Sequence, residues 1–448
     1  MRLLPLAALL LALAAPARQA PATYSITNVV LIDGTGAPPR PGTTIRITGN
    51  RISAITSSGE VPAGEVIDGA GRFAIPGLWD MHTHLTYLGD VTATTLVAHG
   101  VTGVRDMGGA LGTIDWLRAR IDAGALIGPR IVRAGPLVDG SKPGVPDRLV
   151  IDQAADGTRA VAFLAARGVD LIKVHNGAPA PAYFALLAEA RRRGIAVAGH
   201  IPIDVAPAAA IDAGHGSVEH VVSLFEGAFR RHVAAGMSQD EALAQFDDAE
   251  LERLGRAMAA RGTWFTPTLV TYWYRSFQHQ VRAHAAGDPR ERYVTASMRR
   301  YWDVFAPLPD TPEVRGALAR SYDRFVAIAG VLHREGVRFL TGSDLAAPHI
   351  YPGSSLHEEL GWLVKAGLRP MEAIVAATRN GAEAAGRLDD LGTIEPGKLA
   401  DLVLLDADPL ADIANTQRID TVVVNGRILR RADLDRLLAG VERQAKSR

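Results

Sequence analysis

Apolar and polar positions keep two different rhythms along this chain. From residue 24 to 75 they run in short β-rich segments: Ser25-Ile26-Thr27-Asn28-Val29-Val30-Leu31-Ile32, then Thr43-Thr44-Ile45-Arg46-Ile47-Thr48, then Arg51-Ile52-Ser53-Ala54-Ile55. A period of two is the mark of half-buried strands. Asp33-Gly34 and Gly49-Asn50 supply the turns between them. The pattern returns late, at Ala400-Asp401-Leu402-Val403-Leu404-Leu405 and Asp420-Thr421-Val422-Val423-Val424, with a turn at Asn425-Gly426. Two matching ends predict one small antiparallel β-sandwich, built from 23–75 and 391–430.

Between 76 and 390 the rhythm is strand, then helix. The apolar run Ala74-Ile75-Pro76-Gly77-Leu78-Trp79 leads into Asp80-Met81-His82-Thr83-His84 as a first strand. Further strands are expected at Val101–Asp106, Arg130–Ala134, Asp170–His175, Ile195–Ile201, Ser217–Val222, Thr263–Val270 and Arg338–Asp344. Helices are expected at Trp116–Ala125, Arg159–Arg167, Tyr183–Arg193 and Ala206–Ala213. Strands alternating with helices in this way predict an α/β fold, a (β/α)8 TIM-type barrel. The seventh and eighth strands lie much farther apart than a normal crossover requires. Residues 271–312, with Tyr272, Trp273, Tyr274 and Phe277, are read as an insertion over the barrel mouth. Ser355 and Glu358 form a capping box opening a helix to Ala366, Pro370 opens another to about Ala385, and 431–448 is a charged terminal helix.

Composition changes this picture in three places. The 48 basic residues match 48 acidic ones, which gives no reason to expect nucleic acid or an anionic membrane surface as partner. There is no cysteine, so any metal must take nitrogen and oxygen ligands. Residues 1–22 carry one early arginine, a short Leu/Ala run, and small-residue ends at Ala15-Pro16-Ala17 and Ala20-Pro21-Ala22. That is the pattern of a secretory signal peptide, too short to span a bilayer comfortably. Export to a bacterial periplasm or medium is expected, with no stable membrane anchor after processing.

The chemistry sits at predicted strand ends. His82 and His84 share one face of the first strand, with Asp80 one layer deeper on it. Lys173 lies in the fourth strand, His200 ends the fifth, His220 the sixth and Asp344 the eighth. Catalytic groups of barrels gather at the carboxyl ends of strands, so five of eight strands would deliver ionisable side chains to one place.

These residues make the chain resemble the amidohydrolase superfamily, in its binuclear branch of imidazolonepropionase-like and Xaa-Pro dipeptidase-like enzymes. The resemblance spans the mature chain. It includes Pro76–His84, Gly103-Val104-Arg105-Asp106-Met107, Leu171-Ile172-Lys173-Val174, Thr341-Gly342-Ser343-Asp344 and Gly392–Val403. It implies two divalent metal ions, one held by His82, His84 and Asp344 and the other by His200 and His220. It further implies a carbon dioxide adduct on Lys173, a carbamate bridging the two. Zinc suits the ligands; manganese, cobalt or iron could take the same site. The implied chemistry is amide hydrolysis by a bridging hydroxide, with Asp344 as general base and acid.

The implied substrate is a small molecule or short peptide, with amides of peptides or N-acyl amino acids first and lactones or esters second. A third reading, from another class, is an exported ligand-binding protein on a degenerate barrel. The chain departs from dipeptidase relatives in the loop Val138–Asp147, which holds no histidine. Imidazolonepropionases differ in using one metal and lacking the strand-4 lysine. A homo-oligomer is left open.

Four residues are candidate substrate contacts. His175 shares the face of Lys173 and either touches substrate or rims the mouth. Arg105 either clamps a substrate carboxylate or pairs with a structural acid. His349 and Tyr351 follow Asp344 in a loop. Glu219, beside His220, is expected to face out of the barrel by strand alternation, and His357 to be structural.

Overall fold

The computed structural model describes residues 22–57, 61–142, 148–285 and 287–447. The expected signal peptide lies almost wholly outside the described residues. No helix among them is long and apolar enough to cross a membrane.

Both chain ends build one eight-stranded sheet. Thr23–Leu31, Arg40–Thr48 and Arg51–Ser57 form an antiparallel meander in which Ile26 faces Ile45 and Ile45 faces Ile55. Leu402–Leu405, Ile419–Val424 and Arg427–Arg430 form a second one, joined antiparallel to Phe73–Pro76. Ile26, Val29, Ile47, Leu402 and Val423 are fully buried in its private core. The antiparallel sandwich expected from the sequence needs correction. Thr23–Leu31 runs parallel to both Glu65–Asp68 and Phe73–Pro76, so this is one mixed sheet. Period-two alternation reports burial of one face and is blind to strand direction. The Asn425-Gly426 turn is present, with φ of 50° and 74°. A Cβ at Gly426 would stand 2.3 Å from the carbonyl oxygen of Gly49, so the turns from the two chain ends meet there and need glycine.

The eight expected barrel strands are all present, in two parallel sheets. Leu78–Thr83, Val101–Asp106 and Arg130–Arg133 form one. Leu171–Val174, Ala196–Gly199, Ser217–Glu219, Trp264–Thr266 and Arg338–Phe339 run in order through the other. Two further strands, Leu137–Asp139 and Arg148–Val150, extend that sheet from the loop after the third strand. Backbone hydrogen bonds cross both seams between the sheets: Met81 N to Thr341 O at 2.8 Å, and Asp170 N to Arg133 O at 3.0 Å. Helices interleave with the strands, and the first, Val91–Ala98, is buried nearly all round. Ala180–Arg193 buries Ala182, Tyr183, Leu186, Leu187 and Ala190, the i, i+3, i+4 spacing of an amphipathic helix.

Three strands stop three or more residues earlier than their sequence predicts. The sixth ends at Glu219, the seventh at Thr266 and the eighth at Phe339. His220, Thr268 and Asp344 have φ of 68°, 52° and 56°, which ends pleated alternation at the rim. The capping box at Ser355 is absent. The helix Ser354–Lys365 starts from Gly353, and the Ser355 hydroxyl accepts from Tyr351 N instead. Glu358 is drawn to Arg290 at 2.7 Å, an ion pair a local cap cannot match.

The insertion is a set of short helices, including Gln278–Ala285 and Ala296–Trp302, before the long helix Pro312–Arg334. Arg290 pins it down through Asp288, Glu358 and the Tyr274 hydroxyl. Behind it, Glu359 is fully buried and accepts from Val270 N at 2.7 Å. Burial pushes this carboxyl up to about 8, so it holds a proton at neutral pH. The folded chain thus keeps a proton that the unfolded chain releases above its ordinary value of 4.5, and this group's contribution to stability falls as pH rises from there to about 8. Glu359→Gln removes the titration. Its thermal midpoint relative to the native protein is expected to rise between pH 5 and pH 8; a constant difference would contradict the assignment. Glu359→Ala, which orphans the Val270 N–H, is expected to cost about 1–3 kcal/mol.

Candidate metal centre

The strand Leu78–Thr83 is buried along its whole length, which fixes the ring of His82, and His84 follows at the rim. The Nε2 atoms of His82 and His84 lie 3.5 and 3.7 Å from Asp344 Oδ1. These ligand atoms all fall within 4.8 Å of one another, the spacing a single cation spans. Lys173 Nζ stands 3.4 Å from His82 Nε2 and is 1% exposed. The His220 ring centroid is 4.5 Å from that of His82 and 4.7 Å from that of His200. The six side chains expected as ligands thus lie side by side, with His82, His84 and Asp344 alone within the span of a single cation. Gly199 lets two strands meet there: a Cβ on it would lie 2.1 Å from Val174 O and 3.0 Å from Lys173 Cδ.

The donor chemistry fits a metal. His84 Nδ1 is 3.1 Å from the Gly108 carbonyl, which can only accept, so Nδ1 carries the proton and Nε2 is bare. His82 Nδ1 donates to Glu219 Oε2 at 2.9 Å, which leaves its Nε2 bare as well. His220 Nδ1 is held by Thr268 Oγ1 at 2.7 Å. Burial and the nearby Lys173 charge drive His82, His200 and His220 far below the ordinary histidine range, and His84 down to about 3. Neutral imidazoles with inward lone pairs are donors suited to a Lewis acid. Burial also lowers Lys173 to about 8, and raises the Asp344 carboxyl to about 6 against the pull of Lys173.

Glu219 is the main correction to the sequence reading. It does not face outward: it is fully buried inside, bonding His82 with one oxygen. Its other oxygen takes Arg105 Nη2 at 2.6 Å and Ser217 Oγ at 2.5 Å. Strand alternation allows Ser217 and Glu219 on one face; the positive φ at His220 then turns the next side chain inward too. Of the two readings of Arg105, pairing with a structural acid holds and the substrate-contact assignment is corrected. Its guanidinium is 3% exposed and bonds Met81 O, Ser217, Glu219 and Thr266, beneath the metal residues rather than at the mouth. Asp80 ties the first strand to the Asp344 loop by accepting from Ser343 N and Oγ at 2.9 and 2.5 Å. Glu219→Gln is expected to weaken metal binding about 10–100-fold in a chelator competition, because the anion that orients His82 is lost. Unchanged affinity would rule the role out.

Above the cluster opens a cavity of about 580 Å³. His175 borders it, with Nδ1 3.0 Å from Asp139 and its ring 4.4 Å from that of His200. His349 and Tyr351 do not border it, which corrects their assignment as substrate contacts. His349 packs on Trp302 at 5.1 Å, and the Tyr351 hydroxyl donates to Glu291 at 2.7 Å, so both anchor the insertion. Tyr87, which stacks on Tyr301 at 4.7 Å, is a wall the sequence reading did not assign, whereas Tyr301 and Tyr272, the latter beside His220, belong to the segment expected over the mouth. The segment 221–262 was likewise not recognised as a wall; it contributes Phe225, Phe229 and Leu243. The excess length between Glu219 and Trp264 was the signal available for it. His357 is structural as expected, bonded to Thr416 and the His99 carbonyl.

An α/β scaffold presenting two neutral imidazoles and a carboxylate at the carboxyl ends of parallel strands fits a metal-binding enzyme. The profile of the amidohydrolase family matches residues 73–429, and the chain belongs to that family. It is a metal-dependent hydrolase acting on carbon–nitrogen bonds. It is 28% identical over 434 residues to an imidazolonepropionase of Anaeromyxobacter sp. (strain K), covering 88% of this chain and 91% of that protein. Among solved structures, bottromycin amidohydrolase superposes with a TM-score of 0.77 at 27% identity, over 95% of this chain and 91% of that one. A Xaa-Pro dipeptidase with bound methionine shares the fold with a TM-score of 0.66 at 23% identity, over 91% and 100%.

Proposed function

We propose that this chain is a binuclear amidohydrolase on a (β/α)8 barrel, cleaving amide bonds of peptides or N-acyl amino acids. The observation that carries the reading is the buried Lys173 amine set against the bare Nε2 of His82, with His84, His200, His220 and Asp344 around it. An ammonium there would repel two cations. The amine instead adds to carbon dioxide, forming an N–C bond and releasing one proton to solvent, and the resulting carbamate offers two oxygens. His82, His84 and Asp344 would hold one ion and His200 and His220 the other, with the Lys173 carbamate between. Two divalent ions, zinc best suited to these donors, would supply Lewis acidity to polarise the scissile carbonyl and acidify water.

The side chains do the rest. Glu219, Gly108 and Thr268 fix the histidine rings by their Nδ1 atoms. Asp344 takes the proton from attacking water on a carboxylate oxygen and returns it to the leaving amine nitrogen, which leaves poorly unprotonated. Screening the metal-loaded protein against N-acyl amino acids, dipeptides and lactones tests this. Amide turnover is expected; activity confined to lactones would replace the amide assignment by an ester one. Export on the 1–22 leader belongs to the same proposal, and a mature protein beginning at Met1 would contradict it.

A further inference from the structure

The charge in the cavity above the metal residues is lopsided. Its walls are largely apolar, with Phe225, Phe229, Leu243, Phe305 and Phe325 among them. Apart from histidines and the metal-site Lys173 and Asp344, three charged side chains border it: Glu226, Arg230 and Arg275. Glu226 and Arg230 neutralise each other through an ion pair on one helical face, and Asn176 reaches the same carboxylate at 3.5 Å. The Arg275 side chain makes no hydrogen bond or ion pair among the described residues. It lies on the helix Leu269–Ser276, which begins just beyond the end of the seventh strand. Tyr272, three positions earlier and so on the same helical face, has its ring 6.2 Å from that of His220. Arg275 is itself exposed to solvent and lines the cavity from this helix.

We propose that Arg275 is the carboxylate anchor of this enzyme, selecting amides that carry a free carboxylate near the scissile bond and a bulky apolar group for the cavity wall. This rests on the amide-hydrolase reading above. A guanidinium without a protein partner, beside an apolar wall, suits a planar anion that takes two parallel hydrogen bonds. The phenyl rings suit an alkyl or aryl acyl chain by area alone. A neutral lactone would leave the guanidinium unused.

The test uses the metal-loaded full chain with N-octanoyl-L-phenylalanine and its carboxamide, N-octanoyl-L-phenylalaninamide, followed by hydrolysis kinetics and by titration calorimetry. The acid is expected to exceed the carboxamide in kcat/KM by about 10–100-fold. Arg275→Met should bring the acid down to the carboxamide, with the loss falling in KM more than in kcat, and Arg275→Lys should recover part of it. Equal kcat/KM for acid and carboxamide would overturn the anchor and leave the amide reading standing. Binding of the acid that depends on Arg275, without hydrolysis of either compound, would support the anchor and contradict the amide reading. Neither hydrolysis nor Arg275-dependent binding would overturn both.

Discussion

Asp344→Asn is expected to lower turnover by about 10²–10⁴-fold while leaving most of the bound metal in place. The carboxylate oxygen that faces His82 and His84 at 3.5 and 3.7 Å is kept in kind by the amide oxygen of asparagine, so a ligand atom survives. The proton acceptor does not survive, since an amide cannot take the water proton or pass it to the leaving nitrogen. Loss of turnover with metal retained separates proton transfer from metal binding, and metal analysis beside steady-state rates reads both. Full activity in this variant would remove Asp344 from its assigned role.

Lys173→Ala is expected to be at least as severe, for a different reason. The side chain is 1% exposed and stands 3.4 Å from His82 Nε2, so its loss removes the one bridge proposed between the two ions. Metal content should fall toward one ion per chain and turnover by at least about 10²-fold, the scale set by losing one fixed charge at a reacting centre. Folding should hold, because a buried amine is itself costly in an apolar setting. A short carboxylate such as propionate, supplied in solution, can fill the vacated space with two oxygens and should restore part of the activity. A Lys173→Ala protein with two ions and native rates would rule out the bridge.

Most of the metal site was legible in the sequence because strand alternation is a short-range rule. His82-Thr83-His84 share a face by period two, and Lys173 stands alone between apolar neighbours in a buried strand. The rule fails where the backbone leaves the pleat. Glu219 was assigned outward because His220 was assigned inward, and only a φ of 68° at His220 allows both to point in. Arg105 was legible as paired with an acid, yet the acid was Glu219, 114 positions away, which no local pattern connects to it. His349 and Tyr351 were placed near the mouth by their distance from Asp344 in sequence; Glu291, Arg290 and Trp302 of the insertion claim them instead. The mixed direction of the terminal sheet was not legible either, because Glu65–Asp68 reads the same in a parallel or an antiparallel pairing.

On the proposed function, the neutral imidazoles, Lys173 and Asp344 hold two ions needed for amide hydrolysis. Metal analysis of the purified full chain, with amide hydrolysis measured before chelation, after it, and after metal and bicarbonate are restored, tests this. Two divalent ions per chain, activity lost with them and regained with them, is the expected result. Less than one ion per chain, with amide hydrolysis undiminished by chelation, would contradict it.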